Sequence, residues 1–407
     1  MSGDMMNSQV RKDVRLLFQA ALLIFTFTVV VGILNGLDLI NFKRSMLIAH
    51  VHAGTLGWIT LGVIAACLWM FSEGQTLTGW RASSTGWISW GSVIAIVVYA
   101  YAFYTGNLDF RLAGGSLTLL ALVAFFAWVV SQSRQVTLTV PKLGMLAAVT
   151  TLAIGAVIGV LMGIYLTGGL QSLPEQIFIT HGATLVIGYL ILAGMAIAEW
   201  RLKPEHKPIR EDKLGVWQMA LPFVGGLTLT LGALLDNFGL IALNVPLEIA
   251  GVVIFFIRLR RYILGAAWLE GSQERLYAVS TVFVIANVGL LSYLIMGVVT
   301  GKYEDFALIP FWLIFAMDHA MFIGVLTNVL MGLVYEAAHE RRSLWPWADH
   351  VIFWAMNIGM VGFVVGLIQD SAAIKQTFSP IMGAGILAAI VTFTARLQSR
   401  SSETAQS

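Results

Sequence analysis

The chain has 407 residues, 58% of them hydrophobic and only 11% charged. A soluble domain carries about a quarter of its residues as charges, so this composition excludes an ordinary soluble enzyme or binding module, and nothing in it reads as a nucleic-acid partner surface. The net charge of +2 decides little, because in such a chain the placement of Lys and Arg carries the information.

The first fourteen residues are polar, and the apolar run after them is long enough to span rather than to be cleaved as a signal peptide. Twelve such runs follow one another, spans 1 to 12, near 15–36, 47–71, 86–106, 112–132, 143–168, 177–200, 215–235, 239–258, 276–300, 308–335, 350–369 and 378–396. Each suffices to cross about 30 Å of hydrocarbon as a helix. The longest loop is "RLKPEHKPIREDK", 201–213, and the tail 397–407 reads as disordered. The expected fold is all-α: one multi-pass integral domain over 1–407 in the plasma or inner membrane, with the lipid bilayer as partner.

With both termini on one side, that side carries 19 of the Lys and Arg residues, and the other carries only Lys43, Arg44, Arg111, Lys302 and Lys375. The bias predicts that both termini and the 201–213 loop are cytoplasmic. The single cysteine, Cys67 in span 2, permits no intramolecular disulfide and reads as a small packing residue. No C-x-x-C-H occurs, which excludes covalent c-type haem attachment.

Seven histidines are present. His206, His339 and His350 fall in loops or at span ends and read as solvated. The other four lie in spans 2, 6 and 10: His50 and His52 in "AHVHAGTLGWITLG", His181 in "HGATLVIGYLILAG" and His319 in "HAMFIGVLTNVLMG". After His52, His181 and His319 comes a small residue (Ala53, Gly182, Ala320), and four positions on an aliphatic one (Leu56, Leu185, Ile323). The three are 129 and 138 residues apart, about one four-span unit each. This predicts a threefold internal repeat near 15–132, 143–258 and 276–396.

A buried imidazole without a partner costs a few kcal/mol, and an ionisable residue inside a membrane is a functional hypothesis by default. Haem iron takes two axial imidazoles from facing helices. A copper or zinc ion takes three, and a proton relay or substrate site is a further use. The bland alternative satisfies each ring with a neighbouring hydroxyl or carbonyl; matched placement on three spans argues against it. His50 and His52 point about 200° apart on a helix, so they cannot share one task, and the repeat selects His52 as the inward one. Gly54, Gly57, Gly182, Gly188 and Gly324 allow close approach of helices or of a flat macrocycle.

Twelve spans with histidines on spans 2, 6 and 10 resemble the haem-copper oxidase subunit I and nitric-oxide reductase superfamily, over nearly the whole chain in topology. The resemblance implies a haem b held by His319 and by His52 (or His50), with His181 at the position of a histidine of the copper or non-haem iron centre; His181 alone could also bind a second haem through one axial position and leave the other open to a gas. It also implies that Lys43 and Arg44 meet haem propionates. The chain departs from the family where span 7, "GVWQMALPFVGGLTLTLGALL", has no histidine pair, where span 10 reads "MDHAMFIG" with one histidine, and where Leu185 stands in place of the tyrosine four residues after the span 6 histidine. The text around His50 and His52 is also similar to nitric-oxide-stress membrane proteins that contain haem and copper.

The reading is a haem-binding protein for electron transfer, or for sensing or handling a small gas such as nitric oxide or oxygen, with a redox partner protein. It would have no complete binuclear centre, and so no oxidase-like turnover and no catalytic residue to name. A catalytic oxidase or nitric-oxide reductase and a secondary transporter using intramembrane histidines are the alternatives. Asp318 is costly at that depth unless paired or protonated, and a hydrogen bond to a ligand histidine on another helix is one use for it. Glu248 is expected to carry a proton or to sit at a break made by Pro246.

Overall fold

A computed structural model describes residues 8–174, 176–304, 308–338 and 345–398. All but the first two residues of the 397–407 tail lie outside these, as does His339. Twelve helices are long and apolar enough to cross a membrane: α1 Ser8–Gly36, α2 Arg44–Ser72, α3 Trp80–Thr105, α4 Leu108–Ser133, α5 Val140–Leu166, α6 Ile177–Leu202, α7 Lys213–Leu234, α8 Phe238–Leu264, α9 Glu274–Val299, α10 Phe311–Ala337, α11 Pro346–Ile368 and α12 Ala372–Gln398. Among the described residues there is no strand, only the isolated bridge between Thr139 and Pro208. The protein is an all-α, multi-pass membrane protein. Side chains such as Leu23, Trp87, Leu120 and Val391 project from the bundle as an exposed apolar surface suited to lipid.

The helices coincide with the apolar runs but outlast them, α1 starting at Ser8 and α8 continuing to Leu264. Hydropathy marks only the hydrocarbon thickness, whereas the backbone ladder continues while its polar groups still need partners. Pro246 does not break α8, which runs unbroken through it. Glu248, two residues on, is wholly buried, accepts a 3.4 Å bond from Asn244 and leaves its Oε2 unbonded. It lines none of the cavities described below.

Burial picks out the centre. In α2, 83% of the most apolar stretch is buried, and in α6 and α10 67%; no other helix exceeds 56%. The histidine-bearing helices are thus the inner three. They meet through matched positions eight residues after each histidine, Thr60, Tyr189 and Thr327. The Tyr189 hydroxyl donates to Thr60 Oγ1 (3.4 Å), and Trp58 Nε1 donates to Thr327 Oγ1 (2.9 Å). Where α7 crosses α6, close approach depends on glycine: a Cβ on Gly226 of α7 would lie 2.8 Å from Gly188 Cα and 3.4 Å from Gly188 N of α6. Because both contacts are backbone, nothing flexible can yield. Gly226→Ala is expected to destabilise the protein by about 1–3 kcal/mol, read as a lower thermal midpoint in detergent beside an unchanged Gly182→Ala control, where the added Cβ meets nothing.

With twelve spans and short loops, both chain ends fall at one end of the bundle, the terminal end. There the inner helices are tied by charge. Arg201 of α6 pairs with Glu336 of α10 (3.1 Å) and Glu73 after α2 (3.7 Å), lying over the Trp200 and Trp69 rings. Beside it Arg258 of α8 grips the fully buried Glu199 at 2.8 Å together with Gln218 and Asp212. Burial alone would raise the Asp212 carboxyl, but the Gly215 amide and the Arg258 and Lys203 charges outweigh it and hold it below its ordinary value. Its stabilising contribution is therefore present above the ordinary carboxylate range and is lost as pH falls through the lowered value. His206 is not simply solvated: its Nε2 donates to the Trp200 carbonyl (3.1 Å), and burial pulls the imidazole below its usual value.

Candidate functional site

His52 and His319 are each the ninth residue of their helices, and His181 the fifth of α6. Just beyond each the helix widens to i→i+5 bonding, over Ala53–Thr60, Thr184–Leu190 and Ala320–Thr327. Such π-helical stretches re-aim side chains and concentrate at functional sites. Here they recur on all three inner helices and on no other described segment.

The rings are held alike. Nδ1 of His52 bonds the Ile48 carbonyl (2.9 Å), Nδ1 of His181 the Gly155 carbonyl (3.0 Å) and Nδ1 of His319 the Phe315 carbonyl (2.7 Å). A carbonyl only accepts, so each Nδ1 carries the proton and each Nε2 presents a bare lone pair. This is the arrangement that fixes a metal-ligating imidazole. Backbone oxygens do the orienting that Asp318 was expected to share. The Asp318 carboxyl instead faces a cavity. His50 differs: its buried Nδ1 makes no hydrogen bond of ordinary geometry, although the Thr28 backbone lies beside it; Thr28 Oγ1 is likewise unbonded, and the ring lies against Gly32, where a Cβ would come within 3.3 Å.

All four imidazoles line one cavity of about 540 Å³, within the range of cofactor pockets. Its lining divides into two groups of helices, each group facing one of the two α2 imidazoles. Toward α1, α10, α11 and α12 are His50 and His319, with Phe363 edge-on to His319 at 5.1 Å. A smaller adjoining cavity of about 100 Å³ is lined by His50 and His319 but not by His52 or His181. Toward α3, α4, α5 and α6 are His52 and His181. His52 stacks on Phe103 at 3.7 Å and meets Tyr99 edge-on at 5.8 Å. His181 lies against Gly159, where a Cβ would come within 2.9 Å of its ring. His50 is within electrostatic reach of His319, and His52 of His181.

The cations near these pairs are not those expected. Arg44 is exposed and lines neither cavity, though it lies within electrostatic reach of Arg111. Arg111 sits 4.5 Å over the Phe103 ring, itself stacked on His52. Lys375 lines the large cavity on the His319 side and pairs with Asp38 at 3.2 Å. Hydrogen bonds from Gln376 and Lys375 hold Asp38 below its usual value. Sequence reasoning counted Arg111 and Lys375 only as charges and passed over Tyr99 and Phe103. The one signal for Tyr99 was the Gly114–Gly115 pair of α4, on which its ring rests.

A haem needs two axial nitrogens, apolar walls and cations for its carboxylates; the bare Nε2 atoms, the apolar lining and the flanking Lys375 and Arg111 fit that need. Among the described residues no group of three or more His, Cys, Asp or Glu side chains is placed to hold a metal ion. No family model matches the chain, and no curated protein matches it significantly.

Proposed function

We propose that this is a haem-b-binding membrane protein whose principal haem is held by His50 of α2 and His319 of α10, and that it passes electrons. The observation that carries the reading is the shared cavity of these two imidazoles between the inner helices, with His319 Nε2 freed by the 2.7 Å bond its Nδ1 makes to Phe315. The topological resemblance to haem-copper oxidases supports the same two spans. It left His52 and His50 both open, and the cavity favours His50.

A haem held by His50 and His319 would supply one-electron transfer. The chain's part is to hold the rings, exclude water and place charge. The Phe315 carbonyl fixes the His319 ring. Phe363 and the α1 face at Gly32 wall the smaller cavity, and Lys375, which lines the large one, would offer its ammonium to a haem carboxylate. Two imidazoles leave no open position, so electron transfer to a redox partner suits this pair better than capture of nitric oxide or oxygen. The test is the spectrum of protein purified from haem-replete cells. A reduced-minus-oxidised b-type spectrum with at least one haem per chain is expected. Colourless, folded protein would sink the reading and leave a transporter.

The Lys and Arg bias supports a cytoplasmic position for the terminal end, with Glu199, Arg201 and Arg258. A cysteine introduced at Glu205 in a Cys67→Ala background is expected to resist an impermeant thiol reagent applied to intact cells and to react after lysis. Labelling in intact cells would reverse the topology.

A further inference from the structure

We infer that the chain holds a second haem, on the opposite face of α2 from the first, with His52 and His181 as its axial pair. This rests on the proposed haem function and on His50 rather than His52 holding the first haem.

The pair is built as a ligand pair. Both rings have Nδ1 committed to a backbone carbonyl, from α2 itself for His52 and from α5 for His181. Both line the large cavity, and neither lines the small one that His50 and His319 share. His50 and His52 cannot serve one ligand, since two residues on a helix point about 200° apart, so His52 is left with a partner on its own side.

The identity of the ligand follows from what surrounds the rings. A copper or zinc ion takes three or four protein ligands, and no third His, Cys, Asp or Glu joins these two among the described residues. An iron tetrapyrrole brings four nitrogens of its own and needs only the two imidazoles. Its flat face needs small residues alongside, and Gly159, Ala156 and Gly115 line this side of the cavity. Its carboxylates need a cation, and Arg111 lies over the ring stacked on His52 with no carboxylate partner among the described residues. The Tyr99 hydroxyl also makes no protein hydrogen bond there and belongs to the same lining. With both sites filled, only Val51 separates the two ligand residues of α2, giving a short covalent path between the haems.

The test is haem stoichiometry, by pyridine haemochrome against amino-acid analysis, with low-spin electron paramagnetic resonance and metal analysis on the same samples. Two haems per chain are expected. His181→Ala and His52→Ala should each fall to one haem and retain the low-spin signal that His319→Ala loses. Gly159→Val removes no ligand but presses on the His181 ring, and should weaken the same haem selectively. Arg111→Gln should lower one of two midpoint potentials and leave the other, because a nearby cation favours the reduced state. One haem per chain in the native protein, untouched by His181→Ala, overturns this inference and leaves the first haem standing. One copper per chain, lost in His181→Ala, overturns it also. No haem at all overturns both readings.

Discussion

His319→Ala is expected to abolish the low-spin signal of the α2–α10 haem, leaving that site empty or the iron five-coordinate. His50→Ala is expected to do the same, and His52→Ala to leave that signal intact. The reasoning is local. His319 offers Nε2 because its Nδ1 is committed to Phe315 O at 2.7 Å, and His50 is the α2 imidazole that shares the smaller cavity with it. Alanine supplies no nitrogen, and Phe363, edge-on to the ring that is removed, offers no ligand in its place. Imidazole added to the His319→Ala protein should restore six-coordination, because the vacated ring space is the size of the added molecule. A purely structural role for His319 would not be rescued in this way. If His52→Ala loses the signal and His50→Ala keeps it, the pair is His52 and His319, as the repeat alone suggested.

The twelve helices were legible because a bilayer imposes one coarse rule, about twenty apolar residues per crossing, and this chain obeys it without exception. That α2, α6 and α10 carry the histidines was equally plain. Their place at the centre became clear only with packing, since hydropathy does not distinguish a helix ringed by helices from one facing lipid: α6 and α12 have the same mean hydropathy, 1.8, but 67% and 50% burial. The π-helical stretches had no sequence signature, because an i→i+5 turn is set by which neighbour competes for a carbonyl. The roles of Arg111 and Lys375 were hidden for a related reason. Arg44 is nearer to His52 in sequence, but Arg111 reaches the His52 ring through Phe103 of another helix. Asp318, adjacent to His319, invited an orienting role that the Ile48, Gly155 and Phe315 carbonyls fill instead.

Arg258→Met is expected to cost about 3 kcal/mol, the lower end for breaking a buried ion pair by removing one partner. Glu199 is fully buried and receives two bonds from this guanidinium, at 2.8 and 3.0 Å, with Gln218 Nε2 adding a third at 2.7 Å. Without Arg258 the carboxylate keeps only Gln218 and the distant Lys203 ammonium at 4.0 Å, while Gln218 Oε1 and Asp212 each lose a donor. Lys203 is why the lower figure applies. The cost is that of a stranded charge rather than of a missing attraction, so removing the charge should repair most of it. Arg258→Met with Glu199→Gln is therefore expected to regain the larger part of the lost stability, although the double variant has one ion pair fewer than the native protein. The measurement is thermal unfolding in a fixed detergent, where about 3 kcal/mol in a chain of this size moves the midpoint by a few degrees. Unfolding of such a protein is often irreversible, so the variants are compared at one heating rate. A double variant no more stable than Arg258→Met alone would show that the guanidinium acts by packing α8 against α6 and α7, and not by neutralising Glu199.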